Sequence, residues 1–379
     1  MNPFLIVTGD FVKTGGMDRA NYELARYVAD RGAETHLVAY RVDPELALRP
    51  NVIVHRVPKL ARSYVLAGPL LDRIGRTWAR RITPRGGKVI VNGGNCVWGD
   101  VNWVHYVHAA YRREMSAGVA HRTKLALSNR ISRTGERRAL NRARIIITNS
   151  NRTREDLVGR LGIPRSKVRT IYYGTDPELF RPASPNERTA LRRGLGWTDR
   201  TPIVAFVGAM GDRRKGFDTL FEAWKILCGD LRWDAELVVI GTGAEAPIWR
   251  ERTDRSGMER RIHFLGFRLD VPVLLRACDL LVSPVRYEAY GLNVHEALCC
   301  GIPAIVSAGA GVAERYPSEL GNLLLDDPEE VEELVKKLLS WRSGVDHWKE
   351  VVLPFSQRLR AVTWDDMARD MVALSYGPA

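Results

Sequence analysis

Short apolar runs alternate along the chain with amphipathic segments, and this pattern predicts strands separated by helices. The apolar runs are about the length of buried strands, and the segments between them carry apolar residues at helical spacing. The predicted strands lie in the segments 3–9, 35–42, 51–57, 88–94, 101–111, 143–150, 167–182, 201–210, 235–243, 261–267, 280–283 and 303–314. Because strands that alternate with helices form a parallel sheet, we expect an α/β fold.

The pattern starts afresh at residues 201–210, where a strand runs into a glycine loop and then a helix, as it does at the N terminus. The chain has 379 residues, whereas a single hydrophobic core stops growing at roughly 250–300 residues. We therefore predict two doubly wound domains joined by a proline-rich linker at 182–202.

The segment 279–303 fits a strand, a polar loop and a helix that stops at Gly301. A loop that leaves a parallel strand and opens a helix presents free backbone N–H groups and a positive helix end, which suit a phosphate. Glu288 and Glu296 stand on either side of the predicted helix start. Because carboxylates repel phosphate, we expect both to face the hydroxyls of a sugar or ribose. For Glu296 the alternative is a capping contact with Asn293.

Two glycine loops are further candidates for phosphate binding. In the second half, Arg213, Arg214 and Lys215 lie where the loop after strand 201–210 meets a helix, which predicts a clamp for a diphosphate. In the first half, Gly15 and Gly16 follow the first strand without the G-x-G-x-x-G spacing. A phosphate loop and a tight turn that needs positive φ therefore both stay open at that position.

Two histidines follow the predicted strand within 101–111 and are candidates for contact with a substrate. His105 and His108 lie three residues apart in this region, as read from the sequence. A histidine at the end of a strand can donate to a sugar hydroxyl or to a developing charge. A structural histidine is the alternative for each of them, and the sequence does not choose between the two.

Positive charge is concentrated in the first half of the chain. The net charge is +13, and residues 1–180 contain 31 Lys and Arg against 15 Asp and Glu, a net of +16. The remaining 26 basic and 29 acidic residues give −3, since 57 − 31 = 26 and 44 − 15 = 29. Charge segregated in this way indicates an anionic partner for the N-terminal domain.

Basic residues in the first half cluster in two stretches, 59–88 and 111–144. In the first stretch an apolar helical stripe is flanked by arginines, which fits either an interfacial helix on anionic lipid or a surface helix packed on its own domain. The stripe consists of Leu71, Ile74, Trp78 and Ile82, and the arginines beside it are Arg73, Arg76 and Arg80.

Composition excludes several other classes of protein. No apolar run approaches the ~18–20 residues of a membrane span, and the start MNPFLIVTGD fits a first strand better than a signal peptide. The five cysteines lack metal or redox spacing and fit reduced core thiols. We therefore expect a cytoplasmic protein, with peripheral attachment to the inner face of the cytoplasmic membrane left open. A basic nucleic-acid or polyanion-binding protein is the alternative class, although no helix-turn-helix, zinc or RNA-binding motif occurs.

Three blocks in a fixed order resemble the retaining glycosyltransferases of family 4. EAYGLNVHE at 288–296 resembles the E-x7-E signature of that family. The block 145–182, IIITNSNRTREDLVGRLGIPRSKVRTIYYGTDPELFRP, resembles the end of its first domain, and FVGAMGDRRKGFDTL at 206–220 resembles its phosphate-clamp block. Ala209 stands where many members have arginine, so Arg214 would be the substitute, as in the R-K-G variant of lipopolysaccharide-core glucosyltransferases.

The resemblance implies a GT-B fold, in which two Rossmann-like domains face a central cleft and the last helix crosses back to the first domain. Residues 1–181 with 364–379 would form the acceptor-binding domain, and 182–363 would bind the nucleotide sugar. No metal or other cofactor would be required, because side chains and a helix end supply the positive charge.

The resemblance also implies roles for individual residues. Glu296 would hold the ribose hydroxyls, Glu288 would sit beside the transferred sugar, and the backbone at 289–292 would receive the diphosphate. The residues implied in catalysis are Glu288, His108, Arg214 and Lys215. Those implied in donor binding are Gly15, Gly16, Gly208, Arg214, Lys215, Glu288, Ala289, Tyr290, Gly291, Leu292 and Glu296.

We therefore expect a retaining enzyme that transfers a hexose from a nucleotide-diphosphate sugar, with UDP favoured, to a cell-envelope glycan or lipid-linked acceptor. The alternative within the enzyme class is a soluble transferase that acts on a polysaccharide, a disaccharide or a natural product. The sequence offers no enzyme nucleophile, which favours attack on the same face of the sugar as the leaving diphosphate.

Overall fold

The computed structural model describes residues 2–59, 64–111, 132–211 and 213–377, with the backbone alone at 64–66. Much of the basic stretch 111–144 thus lies outside the described residues. The strands are β1 Phe4–Val7, β2 Asp10–Phe11, β3 Thr35–Ala39, β4 Arg41–Val42, β5 Val52–Arg56, β6 Lys88–Asn92, β7 Val101–Val104, β8 Ile145–Thr148, β9 Val168–Thr170, β10 Ile203–Val207, β11 Glu236–Ile240, β12 Ile262–Gly266, β13 Leu280–Ser283, β14 Ala304–Ser307 and β15 Leu324–Leu325.

The helices alternate with these strands, as the apolar pattern predicts. They are α1 Gly16–Asp30, α2 Pro44–Ala47, α3 Tyr64–Ile82, α4 at 132–142, α5 Asn151–Leu161, α6 Pro185–Gly194, α7 Phe217–Cys228, α8 Ala246–Arg255, α9 Val271–Ala277, α10 Leu292–Cys299, α11 Val331–Ser343, α12 Val345–Arg360 and α13 Trp364–Tyr376. Among the described residues, no helix combines the length and the hydrophobicity that crossing a bilayer requires.

The chain forms two compact units. The first contains the described residues up to Gly174 together with those from Trp364 onward, and the second contains Thr175–Thr363. The sequence places the boundary between domains at 181 and 182, whereas the first unit ends at Gly174.

The first unit is built on a parallel sheet of seven strands in the order β5-β3-β1-β6-β7-β8-β9. Neighbouring strands run in the same direction at every pairing in this sheet. The carboxyl ends of the strands therefore share one edge, and their amino ends share the opposite edge. The loops after β1 and β7, which carry Gly15 and His108, leave from the carboxyl edge.

Helix α3 packs its apolar stripe against the core of the first unit. Leu71 and Ile82 are fully buried, and Ile74 and Trp78 lie against the same cluster of core residues. The stripe is therefore satisfied within the protein, and of the two interpretations of this helix the structure supports the surface helix. Insertion of these apolar residues into lipid would require the helix to leave its own core.

The last helix, α13, belongs to the first unit, as the resemblance implies. It packs on α1, where Arg26 forms an ion pair with Asp365. Arg144, just before β8, donates to the carbonyl oxygens of Ser375 at 3.0 Å and Gly377 at 2.6 Å. These contacts fix the C-terminal residues to the first sheet.

The second unit contains a parallel sheet of six strands in the order β12-β11-β10-β13-β14-β15. Strands β10 and β13 are neighbours in the middle of this sheet. Their carboxyl ends lie side by side, so the two candidate phosphate loops that follow them are brought together. In open α/β sheets, ligands usually bind at the carboxyl ends of the parallel strands, between the loops that follow them.

The predicted proline-rich linker at 182–202 is wrong, because this segment contains α6. The Ser184 side chain caps the helix by accepting from Glu187 N at 3.3 Å, and Pro185 occupies the first turn. Arg188 and the fully buried Arg192 both reach Asp279, just before β13. The helix is thus part of the second unit.

Candidate functional site

The candidate site in the second unit starts from the loop between β13 and α10. Gly291 has a φ of 107° and directly precedes the helix, and a Cβ at this position would lie 2.9 Å from Val312 Cγ1. A side chain is therefore excluded by both conformation and space. The loop is held from below, because Gly311 N donates to Glu288 O at 3.1 Å and Val312 N to Tyr290 O at 2.6 Å.

The second loop of the site follows β10 and carries the three cations as a single turn of 3-10 helix, Arg213–Lys215. Gly216 comes next with a φ of 70°, and a Cβ there would overlap Pro284 O at 1.8 Å. This close approach presses the turn against the start of the loop after β13. A Cβ at Gly208 would lie 3.6 Å from Lys215 Cδ, so the lysine stem passes over the end of β10.

Glu288 is the meeting point of the two loops. Its Oε2 accepts a short hydrogen bond from Lys215 Nζ and lies 3.4 Å from Arg214 Nη1. The three side chains are between 16% and 22% exposed. Burial opposes ionisation of the carboxyl, but the charges of Lys215 and Arg214 outweigh it, and the pKa of Glu288 is lowered. Glu288 is thus a carboxylate held by two cations.

A second set of ion pairs stabilises the turn Arg213–Lys215. The sequence analysis did not predict these pairs. Arg286 donates to both carboxylate oxygens of Asp218, at 2.8 and 2.9 Å, and its backbone N donates to Arg214 O at 2.9 Å. Arg213 Nε lies 2.8 Å from the same Asp218. Arg213 therefore pairs with Asp218, whereas Arg214 and Lys215 pair with Glu288.

The helix α10 is anchored by a buried polar group beneath it. Tyr290 OH lies 2.9 Å from His295 Nδ1 and accepts from Arg315 Nη1 at 3.1 Å. Burial lowers the pKa of His295 to about 3 and raises that of Tyr290 to about 12, so both are neutral at pH 7. Asn293 also donates to Val207 O at 2.9 Å, which ties the helix start to the end of β10.

Glu296 lies on α10, and its side chain is half-buried. The predicted alternative for this residue, a capping contact with Asn293, does not form. The residue before the helix is Gly291, and Asn293 is already inside the first turn, with its side chain turned to Val207. Glu288 and Glu296 therefore lie in the loop and in the helix, on either side of the first turn.

The loop with Gly15 and Gly16 lies in the first unit and is described there by itself. Gly15 has a φ of 82° and directly precedes α1. Within that helix, burial and the nearby charge of Asp10 raise the pKa of Asp18 to about 6. The positive φ explains why residue 15 is a glycine. The first turn of α1 also carries Asp18, whose carboxyl group ionises less readily than usual.

The two histidines have different environments, and the structure separates them. His105 is 7% exposed, its Nδ1 lies 2.5 Å from Tyr173 OH, and burial lowers its pKa to about 3. It packs against Trp103 in the core of the first unit and we assign it a structural role. His108 is exposed, three residues further along the segment that leaves the carboxyl edge.

A buried carboxyl group supports the segment that carries His108. Glu136 on α4 is fully buried, and its Oε1 accepts from His108 N at 3.2 Å. Its Oε2 has no hydrogen-bond partner among the described residues. Gly94 lies against it, since a Cβ there would come within 2.9 Å of Glu136 N. The residue was missed because nothing in the local sequence marks it as buried.

We expect Glu136→Gln to stabilise the protein at pH 8 and to have little effect at pH 5. Burial raises the pKa of Glu136 from 4.5 to about 7, partly offset by the His108 N–H. The stability contributed by the neutral carboxyl is therefore present below pH 4.5 and is lost as the pH rises to about 7. Glutamine keeps the acceptor without the charge, so a gain on the order of 1–3 kcal/mol is expected at pH 8.

Denaturant unfolding of the two proteins at both pH values measures this gain. Glu222→Gln, which makes the same change at an exposed position on α7, is the matched control. An equal difference between Glu136→Gln and the unsubstituted protein at pH 5 and pH 8 would show that Glu136 is not neutral in the folded state.

Comparison with known families assigns the chain to a class. The model described as Glycosyltransferase Family 4 matches residues 14–179, and the model described as Glycosyl transferases group 1 matches residues 201–341. Together the two matches span most of both units. The chain belongs to the family 4 glycosyltransferases, and it is therefore an enzyme that transfers a sugar.

The chain is similar in sequence to the D-inositol 3-phosphate glycosyltransferase of Stackebrandtia nassauensis. Identity is 25% over 409 residues, which cover 98% of this chain and 88% of that protein.

Two solved structures share the fold. WaaG, a glycosyltransferase involved in lipopolysaccharide biosynthesis, matches with a TM-score of 0.77 and 19% identity over 99% of this chain and 100% of that one. Anabaena Alr3699/HepE in complex with UDP and glucose matches with a TM-score of 0.71 and 20% identity over the whole of both chains. These likenesses confirm the predicted GT-B fold.

Proposed function

We propose that the enzyme transfers a hexose from a nucleotide-diphosphate sugar, with UDP as the nucleotide, and retains the configuration at the anomeric carbon. The observation that carries the proposal is the cluster of Lys215, Arg214 and Glu288 at the start of α10. Two cations, a helix start and a sugar-facing carboxylate are the groups that a departing diphosphate and a transferred sugar require.

When the donor binds, its diphosphate replaces Glu288 as a partner of Lys215 and Arg214. Without donor, Glu288 pairs with both Lys215 and Arg214 and offsets part of the charge of these two partly buried cations. A diphosphate carries more charge than one carboxylate and presents several acceptor oxygens, so it displaces Glu288 from part of this contact. The released carboxylate oxygens then accept from hydroxyl groups of the sugar or balance positive charge on it.

The cations also stabilise the leaving group. Negative charge builds up on the diphosphate as the bond to the sugar breaks, and Lys215 and Arg214 interact more strongly with it at that stage than in the ground state. Because these side chains and the helix start supply positive charge, we propose that the reaction requires no metal. The diphosphate would take the proton of the acceptor hydroxyl, which attacks from the same face and so retains configuration.

We propose that Glu296 binds the ribose hydroxyls and that the exposed His108 contacts the donor sugar or the acceptor. The Gly15–Gly16 loop would admit the acceptor to the first unit. Of the two histidines, only His108 is exposed among the described residues of that segment, which supports this choice over His105.

For the acceptor we propose a cell-envelope glycan or a lipid-linked molecule that carries negative charge. Three observations support it: the basic first half of the chain, the similarity to an enzyme named for inositol 3-phosphate, and the structural likeness to a protein of lipopolysaccharide biosynthesis. Contact with an anionic membrane surface would be electrostatic, through the arginines of α3, because the apolar stripe of that helix is packed inward.

A panel of nucleotides and their sugars tests the donor. Thermal unfolding with UDP, GDP and ADP, and then with the sugars of each, should show stabilisation by the uridine series above the others. Transfer to envelope-derived lipid fractions, assayed with and without detergent, separates a lipid-linked acceptor from a soluble glycan. Stabilisation by guanosine or adenosine nucleotides alone would refute the choice of UDP while leaving the cation clamp intact.

A further inference from the structure

A basic cavity lies in the first unit, and none of the candidate donor-binding residues lines it. It has a volume of about 650 Å³ and is lined by residues from the end of α3, the start of β6, the segment before β7 and the end of α4. Four of its lining residues are cationic and one is acidic. These charged residues are Arg76, Arg80, Lys88, Arg142 and Asp100.

The single carboxylate of the cavity is already engaged by other groups. Asp100 Oδ1 accepts from Arg144 Nη2 at 3.0 Å, and Asp100 Oδ2 accepts from Val89 N at 2.9 Å. Arg144 does not line the cavity. The charge of Asp100 is therefore mainly compensated by Arg144, and Asp100 forms no ion pair with the four cations of the cavity.

Among the described residues, Arg80, Lys88 and Arg142 form no ion pair. Arg76 pairs with Asp72 at 2.7 Å through one terminal nitrogen, but its buried Nε has no hydrogen-bond partner in the described part of the chain. A buried guanidinium N–H without a partner costs free energy.

Helix ends account for part of this charge but not for all of it. Arg80 and Arg142 lie near the C-terminal ends of α3 and α4, where a cation offsets the helix dipole. Lys88 starts a strand, and its Nζ lies 4.7 Å from the centroid of the Tyr376 ring. Arg76 lies a helical turn before Arg80 and shares its charge with Asp72. Concentrating four cations around one cavity is unfavourable unless an anion shares it.

The cavity and the loops that carry Gly15 and His108 lie at opposite edges of the first sheet. The cavity is formed at the amino ends of β6, β7 and β8, whereas Gly15 and His108 follow the carboxyl ends of β1 and β7. In a parallel sheet these edges are separated by the length of the strands. The cavity therefore cannot be part of the Gly15 and His108 region.

We propose that this cavity binds a phosphate group, carried by a phosphorylated small molecule or by a phospholipid headgroup. Arginine guanidinium groups bind phosphate oxygens in pairs of parallel hydrogen bonds, and Lys88 adds a point charge. The volume fits a small phosphorylated molecule, and Trp98 offers an apolar wall for its remaining part. The site contains none of the residues of the donor clamp, and the proposal does not depend on the proposed transfer reaction.

Inorganic phosphate and lipid vesicles are the two probes for this site. The variant Arg80→Ala/Arg142→Ala removes two exposed cations of the cavity, and Arg137→Ala/Arg138→Ala removes two exposed arginines of α4 that do not line it. Phosphate binding is followed by thermal unfolding of the full chain at constant ionic strength. We expect the cavity variant to need at least about tenfold more phosphate for the same stabilisation, and the control variant to behave like the unsubstituted protein.

Sedimentation with vesicles of phosphatidylglycerol and phosphatidylcholine in equal parts distinguishes the sources of the phosphate. Loss of vesicle binding in the cavity variant alone indicates a headgroup, and unchanged vesicle binding with weakened phosphate binding indicates a soluble ligand. Phosphate bound at the donor clamp contributes equally to all three proteins, so it cannot produce a difference. Equal responses of the cavity and control variants to both probes would overturn the proposal, whatever their transfer activity.

Discussion

Lys215→Ala should lower kcat for sugar transfer by about 10²–10³-fold while raising KM for the donor only a few-fold. Lys215 contacts Glu288 across the two loops of the site and lies over the end of β10. In the proposed reaction its charge meets the diphosphate most strongly when the bond to the sugar breaks. Loss of an interaction made chiefly in the transition state reduces kcat more than it reduces donor affinity.

The same substitution removes the largest favourable charge acting on Glu288. The pKa of Glu288 is lowered by Lys215 and Arg214 against the effect of burial, so it should rise in the variant. The activity that remains should therefore decline at a higher pH than in the unsubstituted enzyme as the solution is acidified. Lys225→Ala, at an exposed position on α7, is the control. A kcat within twofold of the unsubstituted enzyme would remove Lys215 from the reaction.

Glu296→Ala should weaken binding of the nucleotide sugar by about 10–100-fold and leave kcat at saturating donor nearly unchanged, because its proposed contacts to ribose are the same throughout the reaction. Calorimetry with UDP and with pyrophosphate tests whether the lost contacts are those to the ribose. UDP should bind more weakly to the variant, whereas pyrophosphate, which has no ribose, should bind as before. Equal weakening of both ligands, or of neither, would show that Glu296 does not hold the ribose.

The parallel sheets were predictable because their strands are short buried apolar runs, which the sequence marks clearly. Helix α6 was misjudged because Pro182, Pro185 and the serine between them resemble a linker in composition. The cap formed by Ser184 with Glu187 N was nevertheless present as an S-x-x-E pattern. The capping pattern therefore predicts this helix, whereas the local composition does not.

Helix α12 shows a different difficulty. Its buried face, Trp348, Val352, Phe355 and Leu359, follows helical spacing, but Pro354 lies inside the helix and argues against one in sequence. Packing of this face against α10 outweighs the cost of the proline. The helix therefore forms despite its proline because of a tertiary contact, and the local sequence does not show that contact.

The candidate site was predictable as a set of blocks but not as a set of contacts. Spacing brought out Glu288, Glu296, Arg214 and Lys215, yet the pairing of Glu288 with the cations joins residues 73 and 74 positions apart. The ion pair between Arg286 and Asp218 likewise depends on the adjacency of β10 and β13. Such pairs depend on which strands are neighbours in the sheet, and the sequence of a single segment does not show this.

The histidines make the same point on a smaller scale. His105 and His108 lie close together in sequence and are equivalent there as candidates. The difference arises because His105 directly follows β7 and still points into the core, where Tyr173 from another segment meets it. Burial thus depends on a partner 68 residues away.

The central claim is that the cations beside α10 hold a diphosphate, and comparison of UDP with UMP in the presence of a chelator tests it most directly. Calorimetry should show UDP binding at least about tenfold tighter than UMP to the unsubstituted enzyme, since the β-phosphate adds charge-assisted hydrogen bonds. The gap should shrink markedly in Lys215→Ala. Equal affinities for UDP and UMP in the unsubstituted enzyme would contradict the account.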